Sequence, residues 1–162
     1  MSRHLANFFR RFPRLIVPLY WLYRFFRPKY TVGVVGVLFD AQDRVLLVEH
    51  VFHPKYPWGM PGGWTDRGEN PEQTVIREYQ EEVNLTIRIQ QLIAVHTPHK
   101  HHLDIAFLCE ADDLTIDKLS YELLNYQWCS LDSLPTMMEF QHEAIQKAYS
   151  LRGQRADERT SP

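Results

Sequence analysis

One stretch of the chain, from Gly63 to Leu85, constrains its fold more than any other part of the sequence. It reads GWTDRGENPEQTVIREYQEEVNL. Asn70 can cap a helix, Pro71 suits the first helical position, and Gln73 completes a capping-box pair with Asn70. Asn84 tolerates the left-handed conformation in which helices often end. The stretch therefore predicts a loop that is followed by a capped helix.

Three glutamates of this helix fall on one side of it. Residues three and four positions apart are neighbours on a helix, so Glu78, Glu81 and Glu82 crowd their carboxylates onto one arc. Like charges this close repel each other and destabilise the fold unless a cation lies among them. Oxygen ligands suit Mg²⁺ or Mn²⁺, and Mg²⁺ commonly bridges to substrate phosphates. A glutamate run is ordinarily a solvated face, but the adjacent glycines and the capped helix start favour a metal site.

Length and charge exclude several classes of protein. A chain of 162 residues fits one domain with a core of its own. Residues 1–29 hold seven of the 18 basic residues and no acid, which leaves 11 basic and 20 acidic residues, a net charge of −9, for the rest. An acidic body argues against binding of a nucleic acid polymer. Cys109 and Cys129 lie in apolar stretches, which predicts free thiols and a cytoplasmic protein.

The first 29 residues form a basic, aromatic-rich segment that precedes the domain. Its apolar residues recur at helical spacing and several arginines fall on the opposite side, which predicts an amphipathic helix. Pro13 and Pro18 favour a kinked or two-part helix. No apolar run is long enough to cross a bilayer. Two hypotheses follow: the segment lies on an anionic membrane surface, or it packs on the domain or on a second subunit.

The remaining pattern alternates strands and helices. Residues 30–39 read as a buried strand that returns through a turn at residues 40–43 into a strand at 44–49, as in a hairpin. Residues 85–95, 103–109 and 126–130 read as further strands, and residues 140–151 read as a closing helix. The domain thus spans residues 30–151, and residues 152–162 form a polar tail that we expect to be disordered.

These residues resemble the Nudix hydrolases, whose box is G-x5-E-x7-R-E-U-x-E-E-x-G-U, where U is bulky and aliphatic. The positions that match are Gly63, Glu69, Arg77, Glu78, Glu81, Glu82 and Leu85. Tyr79 departs from the pattern at a U position, and Asn84 replaces the last glycine. We expect the first change to matter little if the ring packs into the core, and the second to be mild because asparagine tolerates a positive φ. The resemblance covers about residues 30–150.

The resemblance implies a fold, an activity and a set of roles. It implies an α+β fold, an α/β/α sandwich with a mixed sheet between helices, and hydrolysis of a nucleoside diphosphate derivative with Mg²⁺ or Mn²⁺ as cofactor. The implied metal ligands are Glu78, Glu81, Glu82 and a backbone carbonyl near Gly63. Glu69 and Arg77 would orient the loop and helix through an ion pair.

Other candidate residues lie outside the box or have roles that stay open. The general base is Glu82, Glu78 or the distant Glu122. Trp58 either stacks on a base or lies at the edge of the core. His99, in a histidine-rich loop at residues 96–102, and Glu122 are candidates for substrate contact. The alternative function is a non-catalytic nucleotide-binding or membrane-associated adaptor.

Overall fold

The computed structural model describes residues 11–160, except the side chains of Pro13, Leu15 and residues 155–160. The chain divides into two compact units, residues 1–30 and residues 31–162. In the first unit a helix, α1 (Pro13–Phe25), begins at Pro13 and contains Pro18. The earlier part of the predicted helical pattern, residues 1–10, lies outside the described residues, so a two-part helix stays a prediction. Neither α1 nor any other described helix has the length and apolar content needed to cross a bilayer.

The second unit is built from strands and two helices. The strands are β1 (Thr31–Leu38), β2 (Val45–His50), β3 (Trp58–Gly59), β4 (Gly62–Trp64), β5 (Arg88–His96), β6 (His102–Glu110) and β7 (Leu123–Cys129). The helices are α2 (Pro71–Val83) and α3 (Glu139–Thr160), with a 3₁₀ turn at Leu131–Ser133 between β7 and α3. One sheet has the order β4-β1-β6-β5 and the other the order β3-β2-β7. Among the described strands only β1 and β6 pair in parallel, which confirms the predicted mixed α+β fold.

The predicted hairpin between the first two strands is wrong. β1 pairs with β4 and β6, whereas β2 pairs with β3 and β7 in the other sheet. The two strands touch only beside their turn, through a bridge between Phe39 and Val45. The turn itself is tight, because the Asp40 carboxylate accepts hydrogen bonds from the amides of Gln42 and Arg44, both at 2.9 Å. The chain therefore leaves one sheet at this turn and enters the other.

Each helix covers a separate hydrophobic core. Leu46 and Val48 of β2 pack in the cluster that contains the apolar face of α2, while Val45 and Leu47 pack in the cluster that contains α3. All four of these side chains are fully buried, which suits a strand covered on both faces. The strands thus lie between two helices, as in the predicted sandwich.

The closing helix is longer than the sequence predicts. It continues to Thr160 instead of ending at Leu151, and residues 161–162 are not described. The expected disorder of residues 152–162 stays a prediction. The tail contains arginine, glutamine, alanine and glutamate, which have high helix propensity. Arg152 also ties the helix to the turn after β1, because its guanidinium donates to the Asp40 carbonyl at 3.1 Å.

Tyr79, the aromatic residue at an aliphatic position of the box, packs into the core as expected. Its ring is fully buried and its hydroxyl donates to the Gly36 carbonyl at 2.8 Å. A Cβ at Gly36 would lie 2.5 Å from the ring and 3.0 Å from Val75. The aromatic ring therefore depends on a glycine in the neighbouring strand, which α2 approaches closely.

We expect Gly36→Ala to lower the free energy of unfolding by about 2 kcal/mol, because the new methyl group overpacks the Tyr79 ring. The loss should be smaller in a Tyr79→Leu background, with a coupling of about 1 kcal/mol in a double-mutant cycle. Urea denaturation of the four proteins measures this coupling. Gly153→Ala is the control, since a Cβ there meets open space. Equal costs of Gly36→Ala in both backgrounds would contradict the packing described.

Candidate active site

The close approach of α2 to β4 defines the candidate site. β4 pairs with β1 so that Gly63 lies opposite Val34. A Cβ at Gly63 would collide with the carboxylate of Glu78. Only glycine lets this carboxylate reach the backbone of the strand, which explains the residue in physical terms.

The ends of α2 form as the sequence predicts. The Asn70 side chain accepts from the Gln73 amide at 2.9 Å, and the Gln73 side chain accepts from the Asn70 amide at 3.0 Å, which completes the capping box. Asn84 adopts the left-handed conformation with φ 56°. These two ends fix which residues of the helix face β4.

The guanidinium of Arg77 connects the parts of the site. It donates to both carboxylate oxygens of Glu69, at 3.0 and 3.1 Å, and to the Trp64 carbonyl at 3.1 Å. It also donates to Glu78 at 2.8 Å and to Glu81 at 3.0 Å. The hydrogen bond from Arg77 lowers the pKa of Glu69 to about 2. The structure therefore contains the ion pair between loop and helix that the sequence predicts.

The three glutamates of the arc differ in burial. The side chain of Glu81 is 60% exposed, whereas Glu78 is 14% exposed and Glu82 is buried. Burial raises the pKa of Glu78. Burial also raises the pKa of Glu82 to about 8. A hydrogen bond from the Gly62 amide at 3.0 Å acts in the opposite direction but has the smaller effect. The site thus holds two carboxylates whose negative charge the surroundings disfavour.

Glu122 adds a further carboxylate beside the arc of Glu78, Glu81 and Glu82. It lies just before β7, where its carbonyl accepts from the Val51 amide at 2.9 Å. Its charge contributes to the raised pKa of Glu78 and of Glu82, after the larger effect of burial. The fold therefore brings Glu122 into electrostatic contact with the arc, although it is distant in sequence.

A metal ion would have to displace contacts that the carboxylates now make. Across the described side chains, no three His, Cys, Asp or Glu residues already surround a common point that could hold an ion. Arg77 bonds to both Glu78 and Glu81, and the Gly62 amide bonds to Glu82. The carboxylates still suit a hard divalent cation, because they supply oxygen ligands and because they outnumber the single positive charge of Arg77.

Of the two alternatives for Trp58, the structure agrees with the position at the edge of the core. Trp58 is only partly exposed and packs against the core that contains α3. Trp64, which the sequence analysis did not single out, follows Gly63 directly and is 61% exposed. Its ring lies 5.1 Å from that of His102, which in turn stacks on the exposed His99 at 5.1 Å. An aromatic residue directly after the two glycines was the available signal for Trp64.

His102 is held in place rather than free to bind a ligand. Its side chain is 10% exposed, and its two ring nitrogens contact the Thr31 hydroxyl at 2.8 Å and the Asp104 carboxylate at 3.0 Å. The histidine-rich loop therefore supports the Trp64 ring through His102. His99 lies on the outer side of this stack.

The chain is similar to known proteins. The NUDIX domain family model matches residues 29–149. An NAD-capped RNA hydrolase NudC of Photorhabdus laumondii is 34% identical over 103 residues, which is 63% of this chain and 39% of that protein. An ADP-ribose pyrophosphatase of Methanocaldococcus jannaschii is 28% identical over 124 residues, which is 73% of this chain and 72% of that protein.

A solved structure agrees in fold with the second unit. The crystal structure of an ADP-ribose pyrophosphatase from Streptococcus suis superposes with a TM-score of 0.62 at 25% identity, covering 80% of this chain and 93% of that one. The family model spans the strands, α2 and the first half of α3, and so includes every residue of the box. The chain therefore belongs to the NUDIX domain family.

Proposed function

We propose that this protein is a divalent-metal-dependent hydrolase that cleaves the pyrophosphate linkage of a nucleoside diphosphate derivative. The observation that carries the proposal is the arc of Glu78, Glu81 and Glu82 on α2. The Glu78 carboxylate lies against Gly63, Arg77 donates to Glu78 and Glu81, and the Gly62 amide donates to Glu82. Membership of the NUDIX family and the names of the relatives support the same activity.

The cofactor that suits this arc is Mg²⁺, with Mn²⁺ as a substitute. Glu78, Glu81 and Glu82 would hold the ion, together with a backbone carbonyl near Gly63. The chemistry that the bound ion supplies is neutralisation of phosphate charge and a lowered pKa of a bound water. A cation would also relieve the cost of the buried charge at Glu82, whose pKa burial raises to about 8.

The chain offers three candidates for the general base. A base needs a carboxylate that can take a proton from the attacking water. Glu78 and Glu82 are largely buried, and Glu122 is exposed beside them. Comparing the pH profile of kcat/KM for Glu122→Gln with that of the intact protein tests this residue, since loss of the base removes the acidic limb of the profile.

The substrate class follows from what the relatives are called. Two of the relatives compared above are named ADP-ribose pyrophosphatases and one an NAD-capped RNA hydrolase. ADP-ribose and NAD share an adenosine diphosphate that is joined to a second group through the pyrophosphate. They are the first compounds for a substrate panel, followed by oxidised nucleoside triphosphates, dinucleoside polyphosphates and CDP-alcohols.

The rival function is an adaptor that binds nucleotides without turnover. The complete carboxylate set of the box favours the hydrolase, since binding alone does not require it. Assaying the panel with Mg²⁺, with Mn²⁺ and with EDTA separates the two functions. The hydrolase predicts metal-dependent product release from at least one compound. Binding without product from any compound would support the adaptor.

Glu81→Gln and Glu82→Gln should each lower kcat by about 100-fold or more, because each removes a charged ligand of the metal. The measurement is steady-state hydrolysis of the best compound of the panel at saturating Mg²⁺. Glu72→Gln is the matched control, since Glu72 is an exposed glutamate in the first turn of the same helix. Turnover equal to that of the intact protein in both test variants would refute the assignment.

Metal-free Glu82→Gln should melt at a higher temperature than the intact protein at pH 9. The pKa of Glu82 rises from 4.5 to about 8 on folding, so the folded state holds this proton more tightly than the unfolded chain. The free energy of unfolding therefore falls as the pH rises through this range, and a neutral amide avoids the loss. Thermal melts in EDTA at pH 5 and pH 9 measure the effect. A lower melting temperature for the variant at pH 9 would contradict it.

Trp64→Ala should raise KM about tenfold with little change in kcat, because we expect the exposed ring to stack on the base of the substrate. Trp64→Phe should retain most of the affinity, since it keeps an aromatic face. Trp58→Ala is the comparison, and its main effect should be on stability because the ring packs against the core. An unchanged KM in Trp64→Ala, with a raised KM in Trp58→Ala, would return the stacking role to Trp58.

A further inference from the structure

The described side chains of the first unit expose an unusual amount of apolar surface. Between 40% and 76% of each of the following residues is exposed: Phe12, Ile16, Val17, Leu19, Tyr20, Trp21, Leu22, Tyr23, Phe25 and Phe26. Contiguous exposed apolar surface of this kind marks an interaction site. The hydrolase function proposed above makes no use of it.

The exposed apolar residues surround α1 instead of forming a stripe. The five consecutive residues from Leu19 to Tyr23 are all apolar or aromatic and all at least 53% exposed. Because each residue turns the helix by about 100°, five in a row reach every side of it. The predicted amphipathic pattern is therefore incomplete, since apolar side chains also lie on the side that the arginines share. A helix that is apolar all round is stable only in apolar surroundings on several sides.

The charge of the segment favours anionic lipid over a second copy of the chain as its partner. Residues 1–29 contain seven basic residues and no acidic one. A second copy of the segment carries the same charge and repels the first, whereas anionic lipid headgroups attract it. Two basic residues, Arg11 and Arg14, lie near the start of α1, and three more lie at its end or just after it: Arg24, Arg27 and Lys29. The basic residues thus border the apolar part on both sides.

The aromatic residues of α1 also suit the boundary between lipid and water. Tyr20, Trp21 and Tyr23 carry polar groups on apolar rings, and such side chains concentrate at membrane interfaces. The guanidinium of Arg24 lies 5.5 Å from the centre of the Trp21 ring, and that of Arg27 lies 4.7 Å from the centre of the Tyr23 ring. Each arginine can therefore stay at the headgroups while the ring beside it enters the acyl region.

From these observations we propose that residues 11–30 attach the protein to the surface of a bilayer that contains anionic lipid. The apolar side chains of α1 insert among the acyl chains, and the flanking arginines and lysine bind the headgroups. This attachment is independent of the hydrolase activity. It places the hydrolase at a membrane surface without requiring a helix that crosses the membrane.

Flotation with lipid vesicles tests the attachment on the full chain. Vesicles of phosphatidylcholine alone are compared with vesicles in which phosphatidylglycerol replaces about a third of that lipid. The protein should float with the anionic vesicles and bind at least about fivefold less to the neutral ones. Arg24→Gln with Arg27→Gln should reduce this preference for anionic lipid, and added salt should weaken binding.

Paired substitutions separate insertion from general hydrophobicity. Trp21→Glu with Leu22→Glu should reduce binding to anionic vesicles at least about tenfold, because two carboxylates enter the apolar surface. Leu92→Glu with Val95→Glu is the matched control, since these residues of β5 are 53% and 55% exposed and belong to the second unit. The control should float like the intact protein. Melting temperatures of all variants show whether each one folds.

Several outcomes would overturn the proposal. One is no flotation of the intact protein, and another is equal flotation of the intact protein and the Trp21/Leu22 variant. A third is that sedimentation velocity shows the intact protein to be a dimer and the Trp21/Leu22 variant to be a monomer, while neither protein binds vesicles. That result would show that a second copy of the chain covers α1. A fourth is a lower melting temperature of the variant without any vesicle binding, which would indicate packing within the chain.

Discussion

The candidate site depends on the hydrogen bonds and ion pairs that the Arg77 guanidinium makes. Its donors reach Glu69 in the loop before α2, the Trp64 carbonyl at the end of β4, and two glutamates of its own helix. One side chain therefore fixes the loop, the strand and the helix relative to each other. It also neutralises part of the charge on the arc. Glu82 accepts from the Gly62 amide instead, and burial raises its pKa to about 8.

Two glycines in the neighbouring strands let α2 approach the sheet closely. At Gly63 the missing side chain lets the Glu78 carboxylate approach β4, and at Gly36 it lets the Tyr79 ring pack beneath the same helix. Both contacts hold α2 close to the sheet, one at the functional face and one in the core. The position of the carboxylates thus depends on close packing that adjacent strands and α2 achieve together.

Local features of the structure could be predicted from the sequence, and long-range ones could not. The capping box at Asn70 and the left-handed Asn84 follow from contacts within a few residues. The same holds for the arc of glutamates, which needs only helical geometry. The predicted hairpin was wrong because the pairing of a strand depends on distant residues. β1 pairs with β6, about 70 residues away. The exposure of Trp64 could not be predicted, because it depends on how the whole sheet packs.

The proposed hydrolysis requires the arc on α2 to bind divalent cations, and this binding can be measured with Mn²⁺. Electron paramagnetic resonance measures the free Mn²⁺ that remains when protein is added, with and without ADP-ribose. We expect the intact protein to remove Mn²⁺ from solution and a variant with Glu78, Glu81 and Glu82 all changed to Gln to leave it free. Equal free Mn²⁺ in the presence of both proteins, with nucleotide present, would show that the arc does not bind the ion.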